Sequence, residues 1–329
     1  MVLLVAVLQM VVTVGLLGLI VERWGVAPFT EAARSLPWWA LLLAMALGGV
    51  GVVAQSLRWR IVARHHGICV SVGSAIGRCW QGAFLNSVLP GGLAGDGLRA
   101  IDDSSDAAAV DGRRALASSF AAVAAERLLG TAIVFAAAGA ALVALLPPVA
   151  GICFAVAAGA VAVAWRWLRA LSARDLTAVV LLSGLGWASF AGIFVTALVA
   201  LAPSVDPGRS PGLAVGLSAV ALAGMSVPVG IGGWGTREAA AGWGFMLAGL
   251  EPGLGVTVSI GYGLLALAST LPGAVVFAAR FLPRLREAGR ARARRRVRAQ
   301  RELGAGRSTL SADRPGSHRR RRTSAPHQR

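Results

Sequence analysis

Six stretches of this chain are apolar for the length of a membrane crossing: roughly 2–21, 37–57, 115–146, 148–165, 176–201 and 254–280. A spanning helix needs about 20 consecutive, mostly apolar residues, because hydrocarbon offers backbone N–H and C=O groups no partner but each other. The composition agrees. Hydrophobic residues make up 56% of the chain and charged ones 14%, against about 45–50% and about 25% in soluble domains, so a soluble globule is excluded. The first stretch lacks a basic leader and a small-residue cleavage site and runs into Glu22-Arg23-Trp24, which reads as an uncleaved anchor helix. Trp38, Trp39, Trp59, Trp165 and Trp167 fall near span ends, where interfacial rings are expected.

Charge sets the orientation. The chain has no lysine, and 16 of its 32 arginines lie in residues 284–329 beside only Glu287, Glu302 and Asp313. That leaves +13 in the tail and +4 elsewhere. Arg58, Arg60 and Arg64 follow the second span, and Arg166, Arg169 and Arg174 follow the fourth. By the bias of basic residues toward the cytoplasm, these points, both termini and the tail are expected on the cytoplasmic side of the cell membrane. The tail (283–329) reads as largely disordered, with a basic surface helix at 284–302 suited to anionic lipid head groups or a plain topogenic role. No nucleic-acid recognition motif accompanies the arginines. Cys69, Cys79 and Cys153 are scattered and no metal-ligand spacing occurs, so buried thiols, no metal and no cofactor are expected.

Two stretches, 67–112 and 212–250, begin and end on one side of the membrane and are interrupted by Pro and Gly. Pro90-Gly91-Gly92-Leu93-Ala94-Gly95-Asp96-Gly97-Leu98-Arg99 and Pro228-Val229-Gly230-Ile231-Gly232-Gly233-Trp234-Gly235-Thr236-Arg237 share the pattern P-x-G-[L/I]-[A/G]-G-x-G-x-R, 138 residues apart. The flanking spans keep nearly the same offset, so a unit of span, broken segment and span occurs twice (about 37–146 and 176–280). An odd number of crossings between the copies makes the second inverted. Paired Gly/Pro breaks point to a binding site near the bilayer midplane, since non-helical backbone survives there only where protein, water or ligand satisfies it. Half-helix N-termini at such breaks suit an anion. Close helix packing through the glycines is the plainer alternative.

Ionisable residues add to this. Glu126 and Arg127 lie deep in the 115–146 span, where a charge costs on the order of 2.5–3.5 kcal/mol. Neighbouring helix positions do not face each other, so each should seek partners elsewhere, among Asp96, Arg99, Arg237 and Glu238. A structural ion-pair network is the alternative. Arg78 joins the site or reaches to the membrane surface. Asn86, one turn before Pro90, could satisfy freed backbone groups or contact a head group. The run Asp102-Asp103-Ser104-Ser105-Asp106 should be solvated.

Together these residues resemble the transmembrane region of lysylphosphatidylglycerol synthases and related flippase-like proteins. The matching pieces are Arg58-Trp59-Arg60, Asn86 with Pro90-Gly91-Gly92, Gly95-Asp96 to Arg99, Glu126-Arg127, and Pro228 with Gly232-Gly233, Gly235, Arg237 and Glu238. Ala94 stands where the family has Gly. The likeness spans about 1–282. It implies a protein that moves phospholipid or polyprenyl-linked head groups between leaflets, without the soluble aminoacyltransferase domain of the bifunctional relatives. The arginines would meet phosphate, and Asp96, Glu126 and Glu238 would balance charge. With no Walker A sequence, any drive would come from a gradient, lipid asymmetry or a partner. An intramembrane enzyme acting on lipid-linked phosphate or sugar is the competing reading, although no catalytic motif is visible. An accessory scaffold for a separate synthase or glycosyltransferase is another, and a homo-oligomer is compatible with each.

Overall fold

The computed structural model describes residues 2–65, 67–89, 112–227, 229 and 231–281. Pro90, Gly91, Gly92, Gly95, Asp96 and Arg99 of the first break, the 102–106 run, Pro228, Gly230 and the tail lie outside them. The described residues are mainly helical, with no strand among them. In chain order the helices are α1 (Val2–Trp24), α2 (Ala27–Ser35), α3 (Trp38–His65), α4 (Val72–Val88), α5 (Gly112–Leu142), α6 (Pro147–Leu168), α7 (Ala173–Leu201), α8 (Pro211–Ser226), α9 (Thr236–Leu247) and α10 (Pro252–Phe281). Packing groups residues 1–277 as one compact unit. Of 278–329, only the last turn of α10 is described.

Six helices, α1, α3, α5, α6, α7 and α10, are long and apolar enough to cross a bilayer. They match the six expected stretches, with α3 and α6 running on past their expected ends. Pro147, Pro148 and Pro211 sit in first turns, where a missing N–H costs nothing. Ser71 and Ser172 cap α4 and α7 by accepting from Ser74 N–H and Asp175 N–H. The short helix α2, opened by Pro28, has no counterpart in the sequence reading. Val11, Val14, Leu19, Ile152, Val180 and Leu181 are among many large apolar side chains left exposed. In water they would form a patch no monomer tolerates; in a bilayer they face lipid.

α4 begins at 72 and α8 at 211; α5 ends at 142 and α10 at 281. The two breaks therefore follow helices of matching register. α8 and α9, of 16 and 12 residues, reach only about 24 and 18 Å, short of the ~30 Å hydrocarbon core.

α10 is the most buried of the six long helices and is reached closely on several sides. A Cβ at Gly48 of α3 would strike Ser269, and one at Gly273 would strike the Trp80 carbonyl of α4. Small residues at such crossings let backbones approach where lipid gives no hydrophobic drive. Trp80 Nε1 donates to the Ser269 carbonyl at 3.1 Å, fixing α4 on α10. A core of Phe194, Leu198, Phe245, Ile260, Tyr262 and Leu265 joins α7, α9 and α10. A second, of Trp59, Val62, Cys79, Ala125, Leu168 and Val179, joins α3 to α7.

Two sequence expectations change here. Trp59 is fully buried, not interfacial, because α3 continues beyond it to His65. Cys69 is exposed while Cys79 and Cys153 are buried, because it follows the α3 terminus in the loop to α4.

Candidate functional site

The polar centre of the bundle is an ion pair between α3 and α5. Arg58 Nη2 lies 3.0 Å from Glu126 Oε1, and neither residue is more than 8% exposed. Gln55, one turn before Arg58, donates to the same oxygen at 2.7 Å. Residues three apart share a helix face, so α3 presents both donors to one carboxylate. Arg58 Nη1 donates to Ser183 Oγ of α7 at 2.9 Å. Ser183 in turn donates to the Val179 carbonyl at 2.7 Å, which leaves its lone pair for the guanidinium. Among the described residues, Arg58 Nε is buried with no acceptor.

A second cluster closes the later break. Glu238, in the first turn of α9, accepts from Gly235 N–H at 2.6 Å, placing a carboxylate on the helix N-terminus where the dipole favours it. The Arg237 guanidinium pairs with the Glu238 carboxylate, and Ser259 of α10 bonds both residues. Arg237 also lies 4.7 Å from the Trp234 ring centre and 5.1 Å from that of Tyr262. Gly263 makes the room, since a Cβ there would meet both Arg237 and Trp234. The N-terminus expected to await an anion thus holds the protein's own carboxylate, and Arg237 and Glu238 are buried to 2% and 0% exposure.

The break is braced on two sides. Gly232 and Gly235 have φ of +57° and +86°, a region that side chains with a Cβ disfavour. From α1, Thr13 Oγ1 accepts from Ile231 N–H at 2.8 Å, and Leu16 packs against Gly235. From α4, the Ser87 carbonyl lies 3.1 Å from where a Gly232 Cβ would stand. Ser87 is three residues before Pro90, so the second break touches the helix end that leads into the first.

Arg78 sits on the buried face of α4 beside Cys79, at 9% exposure. Asn86 is half-buried in the last turn of α4, and Arg127 is exposed. Of the four partners considered for Glu126, Asp96 and Arg99 lie outside the described residues and Arg237 is engaged by Glu238; among the described residues the cation on Glu126 is Arg58 of α3. A second span ending at 57 makes Arg58 a loop charge, whereas α3 carries it inward. The Gln55/Arg58 spacing was the available signal. Ser183, Ser259, Tyr262 and Thr13 carried no distinguishing pattern, since each depends on contacts distant in sequence.

These features define a polytopic membrane protein with a buried, hydrogen-bonded ion pair and, separately, a glycine-rich break closed by its own charged cluster. Residues 5–174 match the family model of the lysylphosphatidylglycerol synthase TM region, and the chain belongs to that family. The match takes in Arg58, Arg78, Asn86 and Glu126 and stops before the second break. No curated protein matches the chain.

Proposed function

We propose that this protein is a flippase-like carrier that moves the head group of a phospholipid or polyprenyl-linked lipid across the bilayer while the acyl chains stay in lipid. The observation that carries the reading is Arg58, a buried guanidinium bonded to Glu126 and Ser183 whose Nε is still without an acceptor among the described residues. A spanning protein keeps such a group at considerable cost, and intramembrane charges mark substrate or ion paths. Arg offers a planar fork suited to phosphate, so Arg58, Arg78 and Arg99 receive the phosphate. Glu126 and Asp96 balance charge or accept an amino group, with Asn86 at the rim and Arg127 where the head group leaves for the surface. Arg237 and Glu238 hold the second break rather than touch the lipid. The two breaks form an inverted pair of half-helix hairpins. The N- and C-termini face the cytoplasm at the cell membrane, and the Arg-rich tail rests on anionic lipid. The chain performs no covalent chemistry and needs no cofactor.

Head groups do not cross hydrocarbon cheaply, and a polar path between helices lowers that barrier. The test is the full-length protein in liposomes with a fluorescent phosphatidylglycerol, followed by lipid extraction. Redistribution between leaflets with the lipid chemically unchanged supports the reading. A new lipid product points to an enzyme, and inactivity until a synthase is added points to a scaffold; either result defeats it.

A further inference from the structure

Away from the buried charges, a cavity of about 430 Å³ opens where α3 ends, between the α3–α4 loop and α7. Small-molecule sites run from about 300 to 1,000 Å³, so it is the size of a ligand site. α3 lines it with two stripes, Leu57 with Ile61 and Arg60 with Arg64, and α7 adds Leu182. Residues four apart lie one above the other on a helix, so an apolar wall runs beside a basic one. Arg60 has no acidic partner among the described residues, and Arg64 shares one with His65. Arg60 Nε donates to the Val70 carbonyl at 2.9 Å, which pins the guanidinium while its terminal nitrogens meet no carboxylate among the described residues. Arg64 lies 3.6 Å from Asp175 Oδ1, while His65 and Ser172 bond the other oxygen, Oδ2, at 3.0 Å each.

We propose that this cavity binds one anionic phospholipid, with its phosphodiester on Arg60 and Arg64 and the start of an acyl chain along Leu57, Ile61 and Leu182. Basic pockets between spanning helices are suited to lipid head groups, whereas a free phosphate ion would have no use for the apolar wall. The site is separate from Arg58 and Glu126. It does not depend on transport, because a chain that moves no lipid could still retain one here.

Cys69 lines the same cavity and is the exposed thiol of the three, so it serves as the reporter. The full-length protein in neutral detergent is treated with a maleimide, with and without phosphatidylglycerol, phosphatidylcholine or inorganic phosphate. Phosphatidylglycerol should slow labelling about fivefold or more, a shift readily read as occupancy, with little effect from the other two. Arg60→Gln/Arg64→Gln should abolish the protection, Arg60→Lys/Arg64→Lys should keep most of it, and Leu182→Trp should lose it by filling the apolar wall. Equal protection by phosphatidylcholine or by phosphate overturns the proposal, as does full protection in the Gln variant. If the Gln variant does not fold, Leu182→Trp decides: retained protection there overturns it equally.

Discussion

Arg58 Nη2 and Glu126 Oε1 meet at 3.0 Å across the crossing of α3 and α5, sealed from solvent. Salt does not reach such a pair, and its members are costly to separate. Removing one partner of a buried pair costs about 3–5 kcal/mol, whereas replacing both by apolar groups is often neutral. Arg58→Met and Glu126→Met should each lower the melting temperature in detergent sharply, and the double variant should recover part of the loss. Additive losses would mean that the two side chains are not coupled.

The second break depends on backbone that only glycine adopts easily. Gly232→Ala combines φ of +57° with a close approach to the Ser87 carbonyl. The left-handed backbone alone costs about 1–2 kcal/mol. Gly249 has φ of +73° but open space around it, so Gly249→Ala should cost less. Thermal unfolding of the two variants side by side measures the difference, which is the contribution of contact with α4.

Thr13 gives Ile231 N–H its acceptor. Thr13→Val keeps the shape and removes the oxygen, leaving a donor whose burial costs about 1–3 kcal/mol. Amide exchange should accelerate at 231–235 with little change in α6. Uniform acceleration across the bundle would indicate general loosening and contradict a local brace.

Arg237 lies against two aromatic rings while paired to Glu238. A lysine has neither the planar fork nor the stacking surface. Arg237→Lys should therefore destabilise the α9 end nearly as much as Arg237→Gln, as read by tryptophan fluorescence at Trp234 during unfolding. Wild-type behaviour of the lysine variant would reduce the residue to a bare charge.

The spans were legible in the sequence because hydrocarbon imposes one rule, a long apolar helix, that neighbours cannot override. The C-terminal ends of α4 and α8, two residues before Pro90 and Pro228, were legible through the repeated Pro/Gly pattern. Partners were not. Arg58 and Trp59 follow an apolar run that reads as finished at 57, yet α3 continues to His65 because α4, α5 and α7 pack around its last turns and take both side chains inward. Arg237 and Glu238 read as two charges awaiting a ligand, although the capping bond to Gly235 and the hydrogen bonds to Ser259 bind them together. The Gly235 bond is local, but the partners Ser259, Glu126 and Ser183 lie on helices more than twenty residues away, which local pattern does not encode.

The most direct measurement is lipid movement in liposomes by Glu126→Gln, a change that preserves size and can still accept from Gln55. The variant should fold, yet move fluorescent phosphatidylglycerol about tenfold more slowly or worse, the equivalent of at least ~1.4 kcal/mol in the barrier. Folded Glu126→Gln protein moving lipid at the wild-type rate would contradict a transport role for the buried charge.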